Sequence, residues 1–290
     1  MDKHIVRTID YGRSATFPLT GRTSAFYHEP GQFIQGQDVA QAERVISIDG
    51  KLLSPTEISD IDDAKNHYDI RSIYTSEMGE TLANTMDKNV LRSAILGSRD
   101  PAQIVNTVPG GSVIVDPDAG TNVENLVAAI SNSNVQLSEN LVPEDGRYTY
   151  VRPLQYALLT QSVAVTDRDL GGVGSFAQGM AGPILGTAIY KTVNLPNTDE
   201  SAIAEIFPKY RGDFSSVIAL TMHYSAVGTV KLMDMSMEME WDSRRQTYFM
   251  LAKYAMGHDY LRTSAAISIE SALPAGAVEA TFTNTVNPRF

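Results

Sequence analysis

Five histidines, His4, His28, His67, His223 and His258, supply every imidazole in a chain that contains no cysteine. Without thiols there are no disulfides, no cysteine nucleophile, no iron–sulfur cluster and no cysteine-based zinc site. A serine triad would need one of the histidines beside a glycine-rich elbow, and none has that context; HExxH, GxSxG and Walker A spacings are also missing. His67 falls on a long helical pattern, and His223 and His258 border apolar runs, which suits hydrogen-bonded structural imidazoles. Asp116-Pro-Asp118-Ala-Gly120-Thr-Asn122 has the opening of a calcium loop but lacks the later ligands, including the terminal glutamate. It reads as Asx-turn chemistry ahead of a helix. Asp60, Asp62 and Asp63 crowd together where the positive end of a helix dipole would favour them. Gly172-Val-Gly174-Ser-Phe-Ala177 has the letters of a GxGxxA dinucleotide loop, yet polar Thr166–Leu170 stands where a buried strand should enter. No catalytic, cofactor-binding or metal-binding residue is assigned, and the expectation is a protein that is not an enzyme and needs no cofactor.

The elements that would carry any chemistry belong to an ordinary folded chain of 290 residues, 43% hydrophobic and 20% charged. That length allows one large domain or two ordinary ones. The net charge of −11 makes a basic nucleic-acid-gripping face a poor expectation. No apolar run reaches the ~20 residues of a membrane helix. Asp2, Lys3, Arg7 and Asp10 interrupt the first residues, so the reading is a cytoplasmically made, soluble protein with no secretion signal.

Residues 4–27 and 43–50 read as extended chain, joined by a polar stretch from Glu29 to Gln41. Together they predict a two-stranded arm too poor in apolar residues to stand alone. It must rest either on its own domain or on a neighbour. From Glu57 to Leu96 no proline occurs. Ile70, Tyr74, Met78, Leu82, Met86 and Val90 recur every fourth residue, which predicts a spine helix of up to roughly forty residues, about 60 Å long. Gly97 and Pro101 are expected to end it. A helix over 121–137, capped by Asn122, should bury Leu126, Ala129, Ile130 and Val135. Strands are expected near 148–153, 187–195 and 214–220, a short helix at 154–161, and a five-glycine loop over 171–182. Leu232 onward, Met233, Met235, Met237, Met239 and Trp241 alternate with Asp234, Ser236, Glu238, Glu240 and Asp242. That period of two predicts a strand with one buried and one acidic face, turning at 242–245 into a return strand.

Several stretches resemble, in the same order, the major capsid proteins of short-tailed phages of the T-seven group. They are DIDDAKNHYDIRSIYTSEMGE at 60–80, HYSAVGTVKLMD at 223–234, AKYAMGH at 252–258, ERVISIDG at 43–50, and the segments His4–Arg7 and Gly21–Thr23. The resemblance covers about residues 4–92 and 217–266. It implies an α+β Hong Kong 97-like capsid fold. The parts carry over as a short or truncated N-terminal arm at 1–7, an E-loop at 8–52, and a P-domain spine helix at 53–97. An A-domain at 98–229, a P-domain sheet at 230–262 and a returning A-domain strand at 263–275 follow. Residues 276–290 extend past the family pattern, with an extra strand suggested at 278–283.

The function so implied is a structural protein that self-assembles into hexamers and pentamers of an icosahedral, DNA-containing phage head. Its implied partners are copies of itself, a scaffolding protein and a portal during assembly, and a decoration protein where one exists. Double-stranded DNA would be enclosed without sequence-specific binding, and no membrane is involved. Candidate subunit contacts are Arg13, Phe17, Arg22, Phe26 and Tyr27 on the arm. Arg71, Glu77 and Glu80 are candidates on the spine, with Glu238, Glu240, Arg244 and Arg245 on the sheet. Two rival readings stay open, an encapsulin-type bacterial compartment and a nucleotide-binding oxidoreductase using 172–177.

Overall fold

The computed structural model describes residues 3–34, 36–65, 69–105, 108–162, 179 and 181–280. The loop around Gly172–Ala177, His67 and residues 281–290 lie outside them. Among the described residues, eleven strands build three sheets and four α-helices pack with them. Strands β1 (Ile5–Thr8), β9 (Val227–Asp242), β10 (Thr247–Tyr260) and β4 (Leu52–Ser59) form one, in that order. Strands β5 (Ser112–Val115), β11 (Ala266–Glu270), β8 (Val217–His223), β6 (Arg147–Val151) and β7 (Ala188–Lys191) form the second. The third is a ribbon of β2 (Ser14–Thr20) against β3 (Gln41–Ser47), antiparallel from Ser14↔Ser47 to Thr20↔Gln41.

Helix α2 (Ile70–Arg99) joins the first two sheets. It begins at Asp69, whose carboxylate accepts from the Arg71 and Ser72 backbone amides at 3.1 and 3.4 Å. The crowded carboxylates Asp60 and Asp62 instead head a separate short helix, α1 (Asp60–Lys65), because residues up to Ser59 are taken by β4 pairing with β10. The spine is therefore shorter than the sequence pattern suggests, about 45 Å for its 30 residues. Its N-terminal half buries only the stripe Ile70, Met78, Leu82 and Met86, against Met250, Ala252, Tyr254 and Met256 of β10. Tyr74 of the expected stripe is exposed. The C-terminal half is buried nearly all round, with Val90, Leu91, Ala94 and Ile95 entering the largest core. Gly97 does not end the helix. It lies inside the last turn because an added Cβ would come within 2.6 Å of Tyr260, and Asp100 forms the C-cap.

That largest core lies on the five-stranded sheet beneath α3 (Val123–Glu139) and α4 (Pro153–Thr160). Asn122 caps α3 by accepting from Glu124 at 2.9 Å. Leu126, Ala129, Ile130 and Leu137 face the sheet, whereas Val135 points outward, one turn position off the buried stripe. Two buried ion pairs pin the spine here: Arg99 to Glu270 through two bonds at 2.8 and 2.7 Å, and Arg92 to Glu200 at 2.7 and 3.0 Å. Beside β5, Val278 and Ala280 exchange backbone hydrogen bonds with Val113 at 2.9 and 2.8 Å.

Strands β9 and β10 form one long antiparallel pair. Their turn is fixed by an Asx bond from the Arg244 amide to Asp242 at 2.9 Å and by Gln246 at φ 55°. Between Lys253 and Met256 the register shifts twice, so β9 carries a bulge midway along its length.

Candidate assembly surfaces

The ribbon has a rooted base and a bare tip. Ala15, Phe17 and Leu19 alternate inward on β2 and, with Ile46 of β3, pack on Val105, Val230 and Leu261 of the same chain. Phe17 is thus an anchor within its own subunit, not a surface available to a neighbour. The base is further fastened by polar contacts. Lys209 pairs with Asp49 at 2.6 Å and donates to the Ser47 carbonyl at 3.1 Å. The buried Tyr210 hydroxyl donates to Asp49 at 2.5 Å and accepts from the His258 amide at 2.9 Å. Burial raises the Asp49 carboxyl above its ordinary range, and burial beside that carboxylate raises the Tyr210 phenol. Arg44 pairs with Asp259 at 3.2 Å and lies 4.3 Å over the Tyr260 ring.

Beyond Arg22 the ribbon leaves the body. Arg22 is half-buried and donates to the Asn140 carbonyl at the end of α3. Arg13 is exposed, as are Phe26 and Tyr27. Phe33 and Ile34, which the sequence analysis passed over, are equally bare. Four large apolar side chains are exposed between residues 26 and 34, and exposed apolar surface concentrated in one segment marks interaction sites. An apolar pair inside a Gly- and Gln-rich stretch was the signal available for it.

A second group gathers at the far end of β9 and β10. Arg71 of the spine lies 4.0 Å over the Tyr248 ring, which meets Trp241 at a tilt of 52° with centroids 4.6 Å apart. Arg245 reaches Glu57 of β4 at 2.8 Å and Asp242 at 3.7 Å, and Glu238 pairs with Lys253 across the strands. Arg244 and Glu240 are exposed here, and Glu77 and Glu80 are exposed along α2. Arg71, the sheet acids and Arg245 are therefore neighbours, while the ribbon candidates root at the opposite end of the strand pair. The expected buried face of β9 is not buried: Met235, Met237, Met239 and Trp241 are 42, 38, 55 and 39% exposed. They share the helix-facing side with Met250 and Ala252, but α2 covers β10 and leaves β9 largely bare.

Two of the histidines and the calcium-like stretch are held by hydrogen bonds within the fold. His258 is buried and bonded through Nδ1 to Thr229 at 2.8 Å, and burial pushes it down to about 3. His223 bonds Ser225 at 2.8 Å and is lowered by burial as well. In the calcium-like stretch, Asp116 accepts from the Asp118 amide at 2.9 Å, an Asx turn leading into α3. Among the described residues no cluster of three or more His, Asp or Glu could hold a metal ion, and no helix is long and apolar enough to cross a membrane.

A family model described as Gp10A-like major capsid protein matches residues 16–270. The major capsid protein of Escherichia phage T7 is 32% identical over 291 residues, covering 91% of this chain and 84% of that one. Among solved structures, the capsid of cyanophage P-SCSP1u superposes with TM-score 0.83 at 36% identity, over 94% of this chain and 87% of that chain. The mature capsid of bacteriophage PhiM1 shares the fold at 16% identity, with TM-score 0.76 over 94% of this chain and 86% of that chain. The fold is the Hong Kong 97-like fold of phage capsids, and the chain belongs to the Gp10A-like family of major capsid proteins, the structural subunit of the tailed-phage head.

Proposed function

We propose that this subunit closes into hexamers and pentamers of an icosahedral shell by laying its ribbon tip on a neighbouring copy. One observation carries the reading: Phe26, Tyr27, Phe33 and Ile34 are exposed on a tip whose base is fixed to its own subunit. A tethered apolar patch gains its burial only from another chain, at about 25 cal/mol per Å² of surface removed from water. In this reading the ribbon is the E-loop. The four-stranded sheet with the N-terminal half of α2 is the P-domain, and the five-stranded sheet with α3 and α4 is the A-domain. Glu240, Arg244 and the Arg245–Glu57 pair serve as charged contacts at the sheet tip, with Glu77 and Glu80 beside them on the spine. Arg22 flanks the tip, and Arg13 stands exposed at the root of the ribbon, before Ser14.

The protein works by association and not by catalysis. Its further partners are a scaffolding protein and a portal during assembly, a decoration protein where the head carries one, and enclosed double-stranded DNA. The charge of −11 suits a wall along which a polyanion slides without sticking. Replacing Phe26, Tyr27, Phe33 and Ile34 together by serine should leave the folded chain intact and abolish shells. Negative-stain microscopy and sedimentation velocity, with and without co-expressed scaffold, read the result. Shells of normal size from the variant overturn the ribbon's role, and protein cargo in place of DNA inside native shells points to an encapsulin-type compartment.

A further inference from the structure

The four-stranded sheet has two edges, and the sequence treats them differently. At one, β4 carries Pro55 in the middle of its ladder with β10, and a proline at an edge removes a donor and blunts strand addition. At the other, β1 covers β9 only from Gly228 to Lys231, and Ile9 donates the last bond to the Lys231 carbonyl at 2.9 Å. From Leu232 to Asp242 the outer edge of β9 has no strand partner among the described residues. The stretch contains no proline and no basic residue.

Its side chains say what could pair there. One face presents the exposed methionines, which adapt to many apolar shapes. The other presents Asp234, Glu238, Glu240 and Asp242, and Glu240 forms no ion pair among the described residues. Two copies of this edge pairing with each other would set acids opposite acids, an arrangement that disfavours the pair. The strand already seated on the same edge, Ile5-Val-Arg-Thr8, has a cation and no acid.

We propose that Leu232–Asp242 is a docking edge for an extended segment of a different polypeptide, one that alternates apolar residues with Lys or Arg. The segment adds a strand beyond β1, its backbone completing the open rungs, its apolar side chains lying beside the methionine row and its cations beside the acids. The acidic row both repels a second copy of β9 and selects the basic partner. This interaction does not depend on the ribbon tip.

The probe is acetyl-Lys-Val-Lys-Val-Lys-Val-Lys-Val-amide, titrated onto the full-length unassembled chain and onto assembled shells, with hydrogen exchange read by mass spectrometry. Saturable binding is expected, with new protection confined to residues 232–242. It should weaken with added salt and by about tenfold in Glu240→Lys, an exposed position where folding is not at stake. A probe N-methylated at alternate backbone nitrogens should not bind. Equal binding of the Glu-Val counterpart, protection elsewhere, or undiminished binding of the methylated probe overturns the proposal. So does finding the edge of assembled shells protected before any peptide is added, which would assign it to a second copy.

Discussion

At Gly257 the root of the ribbon presses on β10 so closely that an added Cβ would lie 2.1 Å from the Ser47 carbonyl oxygen. Gly257→Ala should therefore cost about 1–3 kcal/mol by forcing the two backbones apart. Gly36→Ala, where nothing lies within 4 Å, should leave the denaturation midpoint unchanged. The next residue predicts a pH dependence. His258 is held at about 3 in the folded chain against an ordinary 6.5, so the unfolded chain takes up the proton first as pH falls. Stability is complete above about pH 6.5 and falls by about 1.4 kcal/mol per pH unit toward 3. His223, lowered by burial too, adds in the same direction. Urea denaturation between pH 7 and 5 should show this slope, and His258→Gln should flatten it. Both histidines were legible as structural from their apolar flanks, since no glycine elbow or ligand spacing accompanied them. The clasp of Asp49, Lys209 and Tyr210 was not, because Asp49 stands 161 positions from Tyr210 in the sequence.

Periodicity identified the kind of element well and its surroundings poorly. The alternation from Met233 to Trp241 does form a strand, yet the inference that its methionine face is buried fails. Period two says that two faces differ; it cannot say whether a helix covers one of them, and here α2 stops over β10. Likewise the proline-free run from Glu57 spreads over three elements, because β4 claims its first residues by cross-strand pairing that no local propensity reports. The ribbon was legible as two extended runs around a polar tip. Whether its base lay on its own body depended on Val105, Val230 and Leu261, which are distant in sequence. Limited chymotrypsin digestion checks the element directly. In unassembled protein the first cuts should fall at Phe26, Tyr27 and Phe33, leaving the remainder of the chain intact. Assembly should slow those cuts by at least about tenfold, since local cleavage follows the population of open tips.

The molecule as a whole hangs on one helix that belongs to two cores. Met78, Leu82 and Met86 anchor it to the four-stranded sheet, and Leu91, Ala94 and Ile95 anchor it to the five-stranded one. A continuous helix cannot melt at one end without losing support at the other, so the two sheets should unfold together. Trp241, the only tryptophan, reports the sheet tip from a site remote from α3. Ile130→Ala in the larger core should cost about 2–5 kcal/mol and shift the Trp241 fluorescence transition as far as the far-ultraviolet signal. Separate transitions would show that the helix does not couple them. The family resemblance was legible across the ribbon, the four-stranded sheet and most of the spine, while the middle of the chain, which supplies β5, β6 and β7, carried it only in outline. One feature of this frame bears on the size of what it builds. The ribbon root and the charged sheet tip sit at opposite ends of β9, 16 residues and about 50 Å apart. The doubled register shift at Lys253–Met256 lies between them. A bulge bends and twists its strand, so this one sets the angle between the two ends within a single subunit. If neighbours dock at both ends, as proposed for the ribbon and the sheet tip, a few degrees at this bend change the curvature of the surface they close.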